Sequence, residues 1–245
     1  MKKQSLKVGK ASLSYEDKEF ISSDAGRIVR IISEYELPKY YFGEFDIERT
    51  ITVFGSARQL SKDAVNKYPR IAQAYVECEE IVEKLLDWSL SLPKEQRYYI
   101  CTGGGPGFME SANKGSYNKQ MPSLGLNIDL PFEQGSNKFV TPTLNFEFYY
   151  FFMRKFWFTK LSQALIVMPG GFGTMDELFE NLTLIQTKKS SKMPVVLYCG
   201  EFWYRMLDMD FMKELGFICP EDSGLYRVCN TPDECVDYVI KGLTS

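Results

Sequence analysis

The chain has 245 residues, 44% of them apolar and 25% charged, so its length and composition allow one sizeable globular domain with a full core. Lys and Arg number 29 against 32 Asp and Glu, and a net charge of −3 argues against a duplex nucleic-acid binder, which needs a concentrated basic face. There is no histidine, which removes Ser-His and Cys-His nucleophile pairs, His-ligated metals and imidazole proton shuttles.

Residues 1–24 are polar and Lys/Ser-rich and read as a partly ordered extension. No apolar run follows the first charged residues, so no signal peptide is expected. A short helix is predicted through Ile28, Ile31, Ile32 and Tyr35, ending before Pro38. Regular organisation starts at Ile51–Ser56, a strand breaking into the turn Gly55–Arg58. A long helix follows over about Ala64–Leu92, then a strand, Tyr98–Thr102, running into Gly103–Gly107 and a helix.

Ser123–Ile128 is a third predicted strand and Lys138–Thr141 a short one. Phe146–Leu161 reads as one aromatic helix, apolar nearly all round and therefore mostly buried. Ala164–Met168 is a buried strand, and Pro169–Thr174 opens a helix to about Thr187. Pro194–Cys199 reads as a strand and Phe202–Leu215 as a helix. Thr231, Pro232 and Glu234 supply an N-cap, a proline at N1 and a glutamate at N3 for a last helix. Residues 1–49 are thus expected to form an N-terminal extension with a short helix, and 50–245 one domain.

Apolar strands alternating with helices predict an α/β fold, a doubly wound, mostly parallel sheet with helices on both faces. Ligands bind such sheets beyond the carboxyl ends of the strands. Three glycine-bearing turns, 55–58, 103–107 and 169–174, fall there and are expected to converge. The six cysteines contain no Cys-x-x-Cys pair and read as free thiols, with Cys101 and Cys199 buried. The longest apolar stretch, Phe148–Met153, is far short of a membrane span. A cytoplasmic protein without metal or cofactor, binding neither nucleic acid nor membrane, is the expectation.

Gly103–Glu110 and Pro169–Glu177 each place glycines between a strand and a helix, where backbone N–H groups and the helix dipole favour an anion. A tight turn without a ligand is the competing reading of either one alone. Neither ends in Gly-Lys-Ser/Thr and neither has Gly-x-Gly-x-x-Gly spacing, so a P-loop and a dinucleotide fingerprint are both excluded. Two such loops in one sheet favour a mononucleotide or sugar phosphate. Glu177, in the first turn after Thr174, is placed to point back to the crevice, although a first-turn acid also suits the dipole. Arg154, in the aromatic segment, needs a carboxylate or phosphate partner. Glu147, seven residues earlier, is one candidate for a purely structural pair. The aromatic side chains read as core or dimer interface in preference to a base-stacking platform.

Gly103–Glu110, Arg154-Lys155 and the complete Pro-Gly-Gly-x-Gly-Thr-x-x-Glu at Pro169–Glu177 resemble the LOG ("lonely guy") family, long labelled possible lysine decarboxylases. The resemblance covers roughly residues 50–200. The Gly55–Arg58 turn and Gly125–Gln134 look like the family's larger branch, which includes bacterial nucleotide 5′-monophosphate nucleosidases. The resemblance implies a Rossmann-like, homodimeric phosphoribohydrolase that releases free base and ribose 5-phosphate from a nucleoside monophosphate of AMP or cytokinin type. It implies Arg154 and Glu177 as catalytic residues and Gly170, Gly171, Gly173 and Thr174 as the phosphate turn. Ser56, Arg58, Gly104, Gly105, Gly107 and Lys155 complete the expected substrate-binding set. Asp129 and Glu133 are weak candidates for protonating the departing base. The alternative reading is a non-catalytic nucleotide or molybdenum-cofactor carrier on the same fold.

Overall fold

The computed structural model describes residues 13–131 and 135–245. Its elements, in chain order, are α1 (Lys18–Ser22), α2 (Arg27–Glu44), β1 (Thr50–Phe54), α3 (Lys62–Lys67), α4 (Pro69–Leu90), β2 (Tyr99–Thr102), α5 (Phe108–Asn118) and β3 (Ser123–Ile128). There follow β4 (Asn145–Phe148), α6 (Phe151–Leu161), β5 (Ser162–Val167), α7 (Phe172–Gln186), β6 (Val195–Tyr198), α8 (Gly200–Met206), α9 (Met209–Glu214), β7 (Arg227–Cys229) and α10 (Pro232–Thr244).

The seven strands form one sheet in the order β4-β3-β2-β1-β5-β6-β7, with every pair parallel. The central strands are buried at every residue except Gln163 of β5, which matches their lack of apolar-polar alternation. Helices α4, α5 and α10 cover one face; α2, α6 and α7 cover the other. The chain winds outward from β1 to β4 and then returns to place β5 on the other side of β1. This puts the switch point between β1 and β5.

Several predicted elements differ from those observed. The helix expected to end before Pro38 continues to Glu44 with Pro38 inside it. Proline removes the N–H that would serve the carbonyl of Glu34, but the indole Nε1 of Trp157 donates to that carbonyl at 3.0 Å. The helix expected over 64–92 breaks at Tyr68, which Pro69 forces out of helical geometry, so Pro69 starts α4. The helix expected over 202–215 divides at Asp208, whose side chain caps α9 by accepting from Phe211 N.

The largest correction concerns Phe146–Leu161. Its first residues are strand β4, paired with β3, with Phe146 and Phe148 buried and Asn145 and Glu147 exposed. The helix begins only at Phe151, and it is not mostly buried: Phe151, Phe152 and Phe156 are exposed. Lys138–Thr141 is no strand; Thr141 instead accepts Ser123 N at the start of β3. The last helix starts as expected, with Thr231 accepting from Glu234 N. All six cysteines are free, and all but Cys219 are buried. Among the described residues no helix is long and apolar enough to cross a membrane.

Candidate active site

The three glycine-bearing turns meet at the switch point. Ser56 N donates to Pro169 O at 3.0 Å, and Phe108 N donates to Ser56 O at 3.2 Å, so the turn after β1 is bonded to both of the others. Ser56 Oγ folds back on its own turn, accepting from Arg58 N. The Arg58 side chain is exposed at the rim.

Within Gly103–Gly107 the glycines answer to the protein's own packing. Gly104 and Gly107 have φ of +73° and +71°. A Cβ on Gly104 would collide with the Asn127 side chain, and one on Gly107 with the Ser56 carbonyl. Asn137 ties this turn down, its Nδ2 donating to the carbonyls of Gly104 and Gly105 at 3.0 and 2.9 Å. The turn before α7 is different. Gly170 leaves room for Thr174, whose side chain any Cβ there would overlap. Around Gly171 and Gly173, nothing among the described residues lies within 4 Å of where a Cβ would stand. No side chain among the described residues caps α7 at Gly171. Its first N–H groups and the positive end of its dipole therefore face open space, the arrangement that binds an anion.

Arg154 and Glu177 lie just inside this turn. Nη2 of Arg154 stands 3.3 Å from Oε1 of Glu177, and their side chains are 13% and 3% exposed. Glu147, the other partner considered for Arg154, is on edge strand β4 and exposed, which corrects that reading. The guanidinium sits 5.5 Å from the ring centres of both Phe151 and Phe158. Arg154 Nε and Glu177 Oε2 are buried and have no hydrogen-bond partner among the described residues. A buried pair joined by one long contact, with a donor and an acceptor left over, is incompletely satisfied by the protein itself.

Burial raises the pKa of Glu177, against the pull of Arg154 and Lys155. Burial also lowers that of Arg154, against the pull of Glu177. Glu177 is thereby moved toward the range useful to a base near neutral pH. The Lys155 ammonium contacts Asp176 Oδ2 at 2.8 Å and Glu180 Oε2 at 3.1 Å. Burial pulls its pKa down, but these two bonds outweigh it and the value is raised. Asp129 is exposed at the end of β3. Glu133 lies outside the described residues.

Asn181 was not foreseen. It is one turn below Glu177 on α7 and buried, donates to Glu177 O at 2.8 Å, and has an Oδ1 without a hydrogen-bond partner among the described residues. An asparagine four positions after Glu177 on the buried stripe of an apolar helix was the available signal. The contact of Asn137 with the glycine turn gives no such sign, because it joins positions about thirty residues apart.

Residues 109–239, more than half of the chain, match the family model described as possible lysine decarboxylase. No curated protein matches. Among solved structures the chain is similar to the structural-genomics target TM1055, at 17% identity over 79% of this chain and 99% of that one, with a TM-score of 0.53. It is also similar to the molybdenum cofactor carrier protein of Chlamydomonas reinhardtii, at 19% identity over 81% of this chain and 99% of that one (TM-score 0.52). The molybdenum cofactor binding protein of Rippkaea orientalis is similar at 17% identity over 81% and 98%, with a TM-score of 0.51. At such identities these likenesses speak to the α/β fold alone.

Proposed function

The chain belongs to the possible lysine decarboxylase family, the LOG family its motifs resemble, and from that premise we propose that it is a phosphoribohydrolase acting on nucleoside 5′-monophosphates. The observation that carries this reading is the buried, half-satisfied Arg154–Glu177 pair beside the open glycine turn of α7.

In this reading the 5′-phosphate is held by Gly170, Gly171, Gly173 and Thr174 at the α7 N-terminus. The C1′–N bond breaks with its electron pair leaving on the base, and the sugar passes through an oxocarbenium-like state. The Glu177 carboxylate stabilises that positive charge and takes a proton from the water that adds to C1′; passing that proton on to the departing nitrogen completes the free base and returns Glu177 to its ionised form. Arg154 stays charged throughout, since its pKa is far too high for proton transfer. Its free Nε–H holds the phosphate or the leaving group by a charge-assisted bond. A second copy of the chain is proposed to cover the exposed aromatic face of α6, where Phe151 adjoins Arg154. Sedimentation at micromolar concentration checks this, with a dimer as the expected result.

The decarboxylase label implies pyridoxal phosphate, and the residues present do not fit it. A Schiff-base lysine needs a free amine, whereas the Lys155 ammonium is ion-paired twice. Lys160 is at the far end of α6, beside Asp46 and Lys94 at the amino ends of the strands. A second reading, a non-catalytic nucleotide or cofactor carrier, is suggested by the likeness to the molybdenum cofactor carriers. It leaves the incompletely paired Arg154 and Glu177 without a task. Incubating the protein with AMP, GMP, CMP and UMP separates the two. Free base and ribose 5-phosphate are expected from at least one, and binding without any base release would favour the carrier.

A further inference from the structure

Pro38 leaves the Glu34 carbonyl without its helical donor, and Trp157 of α6 supplies one instead. The Glu34 side chain reaches the other end of the same stretch of α6. Its Oε1 accepts Tyr149 N at 2.8 Å and its Oε2 accepts Tyr150 N at 3.4 Å. No side chain of α6 itself caps this end, and Glu34 instead holds the backbone of the N-cap residue Tyr150 and of the residue before it. The carbonyl of Tyr150 accepts Arg154 N at 3.2 Å, which makes Arg154 the next link from the cap. Residue 34 therefore holds the chain at the entry to α6, four residues before Arg154, and α6 itself at Trp157, three residues after it. Arg30 adds a bond to Tyr150 Oη at 3.2 Å, and Tyr35 stacks on Trp157.

We propose that Glu34 is a positioning residue for Arg154: from α2 it fixes the height and rotation of α6, and so where the guanidinium stands against Glu177. The inference rests on the nucleosidase reading for its effect on turnover. It rests on the geometry alone for its effect on the Arg154–Glu177 contact. That contact is single and long, so a small slide of α6 changes it steeply. Burial raises the pKa of the Glu34 carboxylate, against the two N–H groups and Arg30. The charge is thus held there against a desolvation penalty that an exposed cap does not carry.

Glu34→Ala and Glu34→Gln are compared with wild type by melting temperature, by kcat and KM on AMP, and by the carboxyl titration of Glu177 followed by NMR. The groups facing Glu177 are Arg154 and Lys155 from α6, Asp176 and Glu180 from α7, and Cys101 from β2. All remain in both variants. Glu34→Ala is expected to lower kcat by roughly 10–10²-fold, the scale of a small misplacement. The Glu177 titration should move up as Arg154 withdraws. Glu34→Gln, which keeps one acceptor oxygen, is expected to recover part of both effects, and it carries the test if the alanine variant does not fold. A lowered melting temperature with wild-type kcat and an unmoved Glu177 titration would make Glu34 a structural cap and overturn the proposal. If the wild-type protein releases no base from any nucleotide, the nucleosidase reading falls by itself. The Glu177 titration then decides the positioning: an upward move supports it and no move overturns it.

Discussion

The turns before α5 and before α7 have the same form, a strand running through glycines into a helix, yet their glycines exist for different reasons. At Gly104 and Gly107 the backbone is left-handed and Asn127 and Ser56 fill the space a side chain would need. Asn137 then occupies the carbonyls of Gly104 and Gly105. The turn is satisfied from within. At Gly171 and Gly173 the backbone needs no glycine and nothing of the described chain approaches, while the helix start remains uncapped. That turn is left open by the described residues. A glycine-rich loop marks close approach, and only the neighbours reveal whether protein or ligand approaches.

The largest effect is expected where the open turn meets the buried pair. Glu177→Gln should lower kcat for base release by ~10²-fold or more, because the charge that stabilises the sugar and accepts the proton is gone. The amide keeps an oxygen for Arg154, so the melting temperature and AMP binding should remain near wild type. Wild-type turnover in this variant would remove Glu177 from the mechanism.

The comparison itself is tested by alanine at each turn. Gly107→Ala should cost about 1–3 kcal/mol of stability, since φ is positive and a carbonyl stands in the way. Gly173→Ala should leave stability unchanged or slightly improved, because alanine favours the first turn of α7. Its kcat/KM on AMP should nevertheless fall roughly tenfold, the scale of one lost charge-assisted contact, while adenosine stays a poor substrate for both proteins. Urea unfolding beside steady-state kinetics reads both. Equal stability losses at the two positions would show that the turns do not differ as described.

Much of this was legible in the sequence because it is local. The strands β1, β2, β3, β5 and β6 are short apolar runs ending in glycine turns or loops, and Thr231, Pro232 and Glu234 start α10 by contacts three residues apart. The convergence of the three turns followed from the parallel sheet. What was not legible depends on distant partners or on very short elements. Pro38 looks like a helix end because its compensation is Trp157, which reaches across 123 positions to the Glu34 carbonyl. The four residues of β4 alternate strictly, but they are too few to stand out from the aromatic run that follows. That single error placed Glu147 on a helix with Arg154 and so offered it as a partner. With β4 assigned, Glu147 faces outward and Glu177 takes its place.

The smallest effect separates Lys155 from the substrate. If Lys155 acts only through its ion pairs with Asp176 and Glu180, its influence on the reaction is electrostatic, lowering the pKa of Glu177. In the proposed mechanism Glu177 must be ionised to work, and burial already raises its pKa. The acidic limb of kcat/KM is therefore expected above the ordinary glutamate range, with activity rising as pH rises through it. Removing a nearby positive charge penalises the carboxylate further, so Lys155→Met should move that limb to higher pH. The move should be no more than about one pH unit, because the partly exposed pair is screened. On the plateau above the limb, kcat and KM should match wild type. If Lys155 also holds the phosphate, KM for AMP rises across the whole pH range, the plateau above the limb included. A pH profile of kcat and KM for the two proteins distinguishes these outcomes. The second would return Lys155 to the substrate and make its ion pairs a feature of the unliganded site.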